Sequence, residues 1–271
     1  MKREIKMNST VLKERLFPVV REAGKMMMQA HCSNESEISE KAGTANFVTI
    51  YDVRIQDFLM TTIKELFPDA VFIAEEKEND SAMLMCEHCF IIDPIDGTTN
   101  FIHDYHHSCI SVAMFTRGEP IFGAVYNPYM DELFYAAKGE GAYLNDTPIH
   151  VSSRSFGTAL IAFGTAPYQK DTFAKKTFAA CHKLLFSCAD LRRGGSAALD
   201  LAYVACGRVE FFFEYQISPW DGAAGYLLVT EAGGVVTDVY GNPYSFEGPC
   251  PVLASNGICH EEAVSVFKSI E

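Results

Sequence analysis

Residues 110–115, 121–126 and 132–137 are short apolar runs separated by Arg117-Gly118-Glu119-Pro120 and Asn127-Pro128, sequences that reverse a chain within a few residues. This spacing predicts an antiparallel meander, with further turns at Gly139-Glu140-Gly141 and Asn145-Asp146. From about His150 the pattern changes. Strand candidates at 159–163, 189–192, 209–214, 235–238 and 252–255 alternate with helical periodicity at 172–186, 196–205, 221–232 and 261–270. Such alternation implies a mixed or parallel sheet. An α+β half, residues 1–149, therefore meets an α/β half, residues 150–271, and ligands commonly bind at a junction of this kind.

Ahead of the meander, Leu12, Leu16, Val19, Ala23, Met26, Met27 and Ala30 recur at helical spacing, predicting a helix over 9–31 that Pro18 bends. Residues 35–44 are polar and loop-like, and 47–50 lead into Asp52, a candidate cap for a second helix with Ile55, Leu59, Ile63 and Leu66 on its buried face. Phe67-Pro68-Asp69 stops that helix, and the apolar run 70–74 ends at Glu75-Glu76. The next apolar run, 90–92, ends at Asp93-Pro94, because proline restricts the residue before it and offers no donor to a sheet.

Two strand ends thus deliver acids, and Asp96 follows three residues after Asp93. Gly97, Thr98 and Thr99 add backbone N–H groups and hydroxyls suited to an anion. Asp221 lies between Trp220 and the small-residue run Gly222-Ala223-Ala224-Gly225, a helix start that permits close approach. Brought together, these carboxylates repel, each pair at about 4 Å costing roughly 4 kcal/mol at an effective dielectric of 20. Either cations bind or some acids are protonated. Oxygen donors without paired histidine or cysteine favour Mg²⁺ or Mn²⁺ over zinc. Acids at strand ends also serve as turn formers and helix caps, so spacing alone leaves both readings open.

A net charge of -13 and a pI near 5.0 oppose a nucleic-acid or anionic-membrane partner. An anionic substrate would then need a local reversal of the field, which bound divalent cations supply. Nine scattered cysteines suit a reducing compartment. No run approaches the ~20 apolar residues of a membrane span, and the first residues lack the apolar stretch of a secretory signal. The chain therefore reads as cytoplasmic.

Asp93-Pro94-Ile95-Asp96-Gly97-Thr98-Thr99-Asn100-Phe101 resembles the central motif of the inositol monophosphatase family, and Trp220-Asp221-Gly222-Ala223-Ala224-Gly225 resembles its second motif. Glu75-Glu76 and Val48-Thr49-Ile50-Tyr51-Asp52 match in order and spacing, so the resemblance covers nearly the whole chain. It implies a layered αβαβα sandwich of the sugar-phosphatase type, antiparallel in its first sheet and mixed in its second. It also implies a lithium-sensitive phosphomonoesterase, a homodimer, acting on inositol 1-phosphate or a related polyol or sugar phosphate. Glu75, Asp93 and the Ile95 carbonyl would hold one Mg²⁺, Asp93, Asp96 and Asp221 a second, and Glu75 with water a weaker third. Thr98, hydrogen-bonded towards Asp52, would help Glu75 activate the nucleophilic water. Gly97 and Thr98 N–H groups would receive phosphate oxygens. Glu214 would accept substrate hydroxyls, and Gly195, Ser196 and Ala197 belong to the turn that contacts substrate. Lys41 matches a position near the third metal.

Two departures stand out: Ala74 replaces a frequent glycine before the acidic pair, where positive φ would shift Glu75, and Ser218-Pro219 precedes Trp220. Rival substrates within the superfamily are fructose 1,6-bisphosphate, histidinol phosphate, NADP and adenosine 3′,5′-bisphosphate. A phosphate-ligand binding protein that kept the fold would be expected to have lost an acid or Thr98, and none is missing. Cys86-x-x-Cys89 lacks the second pair a zinc site needs, and His103, His106 and His107 crowd one loop without ligand spacing. Phe211-Phe212-Phe213 reads as a buried strand.

Overall fold

In a computed structural model of the chain, the described residues are 9–33, 38–40 and 47–270. Helix α1 (Ser9–Ser33) buries Leu12, Leu16, Val19, Ala23 and Met27, and helix α2 (Ile50–Leu66) buries Ile55, Leu59 and Ile63. Both stripes follow the 3.6-residue period and pack on one face of the first sheet. Of the polar segment 35–44, Ile38–Glu40 forms a short strand, β1, that pairs antiparallel with β2 (Phe47–Thr49). The rest of that segment, including Lys41, lies outside the described residues.

The first sheet contains β3 (Val71–Ala74), β4 (Cys89–Asp96), β5 (Cys109–Thr116), β6 (Glu119–Asn127), β7 (Glu132–Ala137), β8 (Ala142–Leu144) and β9 (Thr147–Ile149), in that spatial order. Pairing is antiparallel throughout except between β3 and β4, which run parallel. Side chains alternate as a pleated strand requires. Phe90 and Ile92 of β4 face α1 and α2, whereas Cys89 and Ile91 face the opposite side.

That opposite side is covered by α5 (Ala197–Ala205) and α6 (Pro219–Glu231). At Gly123 of β6 a Cβ would lie 2.9 Å from the Ala224 carbonyl, so the small residues of α6 meet a strand position with no side chain. The second sheet has the order β11 (Asp190–Arg192), β10 (Leu160–Phe163), β12 (Phe211–Ile217), β14 (Cys250–Ser255), β13 (Val235–Thr237). The β11, β10 and β12 strands are parallel; β14 is antiparallel to both neighbours. Its outer face is covered by α4 (Lys170–Leu185) and α7 (His260–Lys268), against which Phe211 and Phe213 pack while Phe212 faces inward. Each such phenylalanine contributes roughly 1.5–3 kcal/mol on burial, so this run holds two layers together. The layers run αβαβα. Among the described residues, no helix is long and apolar enough to cross a membrane.

Candidate active site

The site begins at the C-terminal ends of β3 and β4. Ala74 pairs with Ile92, and because the strands are parallel, Glu75 and Asp93 leave the sheet at the same edge. An antiparallel pairing would have sent them to opposite edges. Contrary to the expectation from Asp93-Pro94, β4 continues through Asp96. Asp93 pairs with Ser111 and Asp96 with Cys109, so three steps on β4 match two on β5. The extra residue is a bulge, which accommodates a proline without a donor and brings Asp93 and Asp96, otherwise on opposite faces, to one side. Ala74 sits in regular strand rather than left-handed backbone, so replacing glycine there introduces no strain before Glu75.

Two further acids are placed by helix starts. Thr49 is the N-cap of α2, and Asp52 is the N3 residue of its capping box rather than the cap itself. Asp52 Oδ2 accepts from the Thr49 N–H at 2.7 Å and the Thr49 hydroxyl at 2.5 Å. Asp221 repeats the arrangement at α6, accepting from the Ser218 N–H at 2.6 Å. Ser196 caps α5 and donates from its hydroxyl to Asp96 Oδ2 at 2.5 Å, while the Ala198 N–H donates to the same oxygen at 2.8 Å. Asp93 Oδ1 accepts the Ile95 N–H at 3.0 Å.

The result is a cluster in which carboxylate oxygens of Asp93, Asp96 and Asp221 lie within 4.8 Å of one another. Burial pushes all three carboxyls above their ordinary range, and Asp93 is raised further by Glu75 and Asp96, Asp221 by Asp96 and Glu75. For Asp96, the Ser196 and Ala198 donors work against burial. One oxygen each of Asp93 and Asp221 is anchored by backbone while the other has no protein donor among the described residues. Buried, mutually repelling oxygens with an open coordination position fit a hard divalent cation such as Mg²⁺.

Beside the cluster, Gly97 adopts φ +89° and its backbone is closed in from two sides: a Cβ there would lie 3.0 Å from the His107 carbonyl and 3.2 Å from that of Gly195, in the turn before α5. Asn100 donates to the carbonyls of His107 (2.7 Å) and Gly194 (3.0 Å), tying the central motif to the turn before α5. Thr98 Oγ1 lies 3.2 Å from Asp52 Oδ1 and 3.1 Å from the Ile95 carbonyl. Burial raises Asp52 to about 6, opposed by its bonds from Thr49. Glu214, on β12, is buried and raised to about 7 by desolvation, opposed by the Ala166 N–H that donates at 2.6 Å.

These residues enclose a cavity of about 320 Å³ lined by Glu75, Asp93, Ile95, Asp96, Gly97, Thr98, Gly195, Ser196, Ala197, Glu214 and Asp221. Every expected site residue within the described chain lines it except Asp52, which lies behind Thr98. The lining residues that sequence reasoning missed include Tyr168, Arg193 and Asp200. Asp200 had a signal, an acid inside the apolar run of α5. Elsewhere, His106 pairs with Asp104 and stacks on Tyr129, and Cys86 and Cys89 belong to no metal-ligating group among the described residues.

The model of the inositol monophosphatase family matches residues 9–271. The chain is 38% identical over 219 residues to inositol monophosphatase 2 of Solanum lycopersicum, covering 79% of this chain and 83% of that one. It is 39% identical over 222 residues to the Nus factor SuhB of Escherichia coli, covering 82% of each. A solved IMPase/NADP phosphatase complexed with Mg²⁺ and phosphate superposes with a TM-score of 0.84 at 26% identity, over 94% of each chain. With the acid cluster, the layered fold and the whole-length match in agreement, the chain belongs to the inositol monophosphatase family, a family of phosphatases.

Proposed function

We propose that the chain is a Mg²⁺-dependent phosphomonoesterase that hydrolyses inositol 1-phosphate or a related polyol or sugar phosphate. The observation that carries this reading is the convergence of Asp93, Asp96 and Asp221 within 4.8 Å, in the wall of a cavity that Glu214 also lines. Glu75, Asp93 and the Ile95 carbonyl would hold one ion, Asp93, Asp96 and Asp221 a second, and Glu75 a weaker third; Mn²⁺ suits the same donors. Bound there, the metal would lower the pKa of the attacking water and offset charge on the leaving oxygen.

The side chains do the rest. Thr98 has one hydroxyl proton, and pointing it at Asp52 leaves its lone pairs to orient the water that Glu75 helps deprotonate. Gly97 and Thr98 present N–H groups to the phosphate. Ser196 holds Asp96 in place, and the backbone of Gly195 and Ala197 borders the leaving group. Glu214 accepts hydroxyls of the leaving group. At about 320 Å³ the cavity stands at the small end of ligand sites, which span roughly 300–1,000 Å³, and this favours a single sugar-sized ring over a dinucleotide. Lithium inhibition and a homodimeric state are expected on family membership alone, and cytoplasmic location on the scattered cysteines.

A substrate panel tests the reading: inositol 1-phosphate, fructose 1,6-bisphosphate, histidinol phosphate, NADP and adenosine 3′,5′-bisphosphate, assayed with saturating Mg²⁺. The polyol ester is expected to give the highest kcat/KM. A tenfold preference for a nucleotide, about 1.4 kcal/mol, would reverse the assignment.

A further inference from the structure

Asp200 lies in the first turn of α5 and is 4% exposed, its carboxylate lining the cavity. No donor bonds that carboxylate among the described residues. This sets it apart from the other acids: Asp93, Asp96, Asp221 and Glu214 each accept at least one N–H, and the equally buried Glu210 accepts from Ser152, Arg154 and Leu160. The Asp200 oxygens are not among the fully enclosed unpaired atoms, so they open on the cavity rather than being sealed in the core. An orphan that borders a cavity is explained when its donors arrive with the ligand.

The neighbouring backbone keeps that position open. A Cβ on Gly194 would lie 2.6 Å from Asp200 Oδ1 and 2.7 Å from His107 Nε2, which is itself buried without a partner. Glycine at 194 therefore leaves room beside the backbone for both the carboxylate and the imidazole. Arg193 is the only Lys or Arg lining the cavity among the described residues, and its one hydrogen bond there is a long 3.4 Å contact to Thr165 Oγ1. Burial, with Asp96 and Glu214 nearby, pushes the Asp200 carboxyl well above its ordinary range, burial likewise raises Glu214, and the Arg193 charge opposes the rise at both.

We infer that Asp200 is a second acceptor for leaving-group hydroxyls, acting with Glu214 to make the site selective for a polyhydroxylated phosphate ester. The inference rests on the phosphatase reading and deepens it. A wall of two carboxylates and one guanidinium offers both acceptors and donors, and a hydroxyl is both at once. An apolar leaving group would leave these buried groups unpaired, and a second anion would face two carboxylates; sites built to hydrogen-bond a hydroxyl reject analogues that lack it. The competing explanation is structural: an acid in the first turn of α5 also stabilises the helix dipole.

The test is steady-state kinetics of wild type, Asp200→Asn and Asp200→Ala with saturating Mg²⁺, on inositol 1-phosphate and on p-nitrophenyl phosphate, which has no hydroxyl on its leaving group. Expected is a KM for inositol 1-phosphate raised about tenfold or more with kcat within about threefold, and unchanged kinetics on p-nitrophenyl phosphate. Equal losses on both esters, or no change on either, would overturn the inference. If Asp200→Ala does not fold, the near-isosteric Asp200→Asn decides. Should the wild type hydrolyse p-nitrophenyl phosphate but no polyol ester, the selectivity inference fails while the phosphatase reading stands. If it hydrolyses neither, the phosphatase reading fails, and calorimetric titration with inositol 1-phosphate decides on Asp200 alone. A tenfold weaker affinity in Asp200→Asn supports its role; equal affinity, or no binding by wild type, removes it.

Discussion

Thr98 Oγ1 and Asp52 Oδ1 are 3.2 Å apart although 46 positions separate them in the chain. The second oxygen of Asp52 is held by Thr49 at the start of α2, so the helix N-terminus fixes where the Thr98 hydroxyl points. On the proposed mechanism the proton goes to Asp52 rather than to the Ile95 carbonyl at 3.1 Å, and the hydroxyl acts as an acceptor towards water. Replacing Thr98 with Val is expected to lower kcat by about 10²-fold or more with little change in Tm, whereas Thr98→Ser should retain most activity. Equal activity of Val and Ser variants in a phosphate-release assay would remove Thr98 from the mechanism.

The acid cluster makes a prediction about stability. Burial and mutual repulsion hold Asp93, Asp96 and Asp221 above their ordinary carboxyl range. A raised folded-state value means the folded form binds more protons than the unfolded one, so stability present at low pH is lost as pH climbs from near 4 through the folded-state values. Metal-free protein should therefore melt at lower temperature at pH 7.5 than at pH 5, and Mg²⁺ should raise Tm more at pH 7.5, since it must displace protons. Asp221→Asn removes one repelling charge while keeping an acceptor for Ser218; thermal melts in EDTA at pH 7.5 should show it more stable than wild type, with a smaller Mg²⁺ response. A variant less stable in EDTA, or with an undiminished response, would contradict this.

Glu214 supplies a pH signature for substrate binding. Its carboxyl, raised to about 7 by burial, is largely protonated at pH 6 and ionised at pH 8. Only the ionised form accepts hydroxyls through both oxygens, so KM for a polyol phosphate should fall as pH rises through 7. Glu214→Gln should raise KM and flatten this part of the profile. The substrate's own second ionisation, near pH 6, is common to both proteins and drops out of the comparison.

Gly97 tests how tightly the central motif packs against the His107 loop and the turn before α5. At φ +89°, with carbonyls 3.0 and 3.2 Å from a would-be Cβ, an alanine is strained twice over. Gly97→Ala should lower stability by about 1–2 kcal/mol in denaturant unfolding and reduce kcat/KM with it. A variant that unfolds at the wild-type denaturant concentration would show that the contact tolerates a side chain.

Much of this was legible in the sequence because its signals are periodic. The α1 and α2 stripes, the meander and the alternation after residue 150 each follow a 3.6- or 2-residue pattern, and the structure places elements close to those positions. What escaped has physical reasons. The β1 and β2 strands have three residues each, too few for a period to show. Asp93-Pro94 read as a strand end because proline usually is one, yet a bulge absorbs it. That bulge, rather than the spacing of the acids, puts Asp93 and Asp96 on one side. Likewise the parallel pairing of β3 and β4 inside an otherwise antiparallel sheet is what joins Glu75 to them. Asp52 and Asp221 carried a visible pattern, Thr or Ser three residues ahead of an acid, which assigns both to capping boxes. An acid inside the apolar run of α5 marks Asp200 in the sequence, but its place in the cavity wall beside Gly194 shows only in the packed structure.

The most direct test of the central claim is phosphate release from inositol 1-phosphate by wild type and Asp96→Asn, each with saturating Mg²⁺ and with EDTA. Turnover is predicted for wild type with Mg²⁺, near-complete loss in EDTA, and near-complete loss in Asp96→Asn with its Tm still showing a folded protein. Full activity in EDTA, or an unaffected rate in Asp96→Asn, would contradict a metal-dependent phosphatase built on this acid cluster.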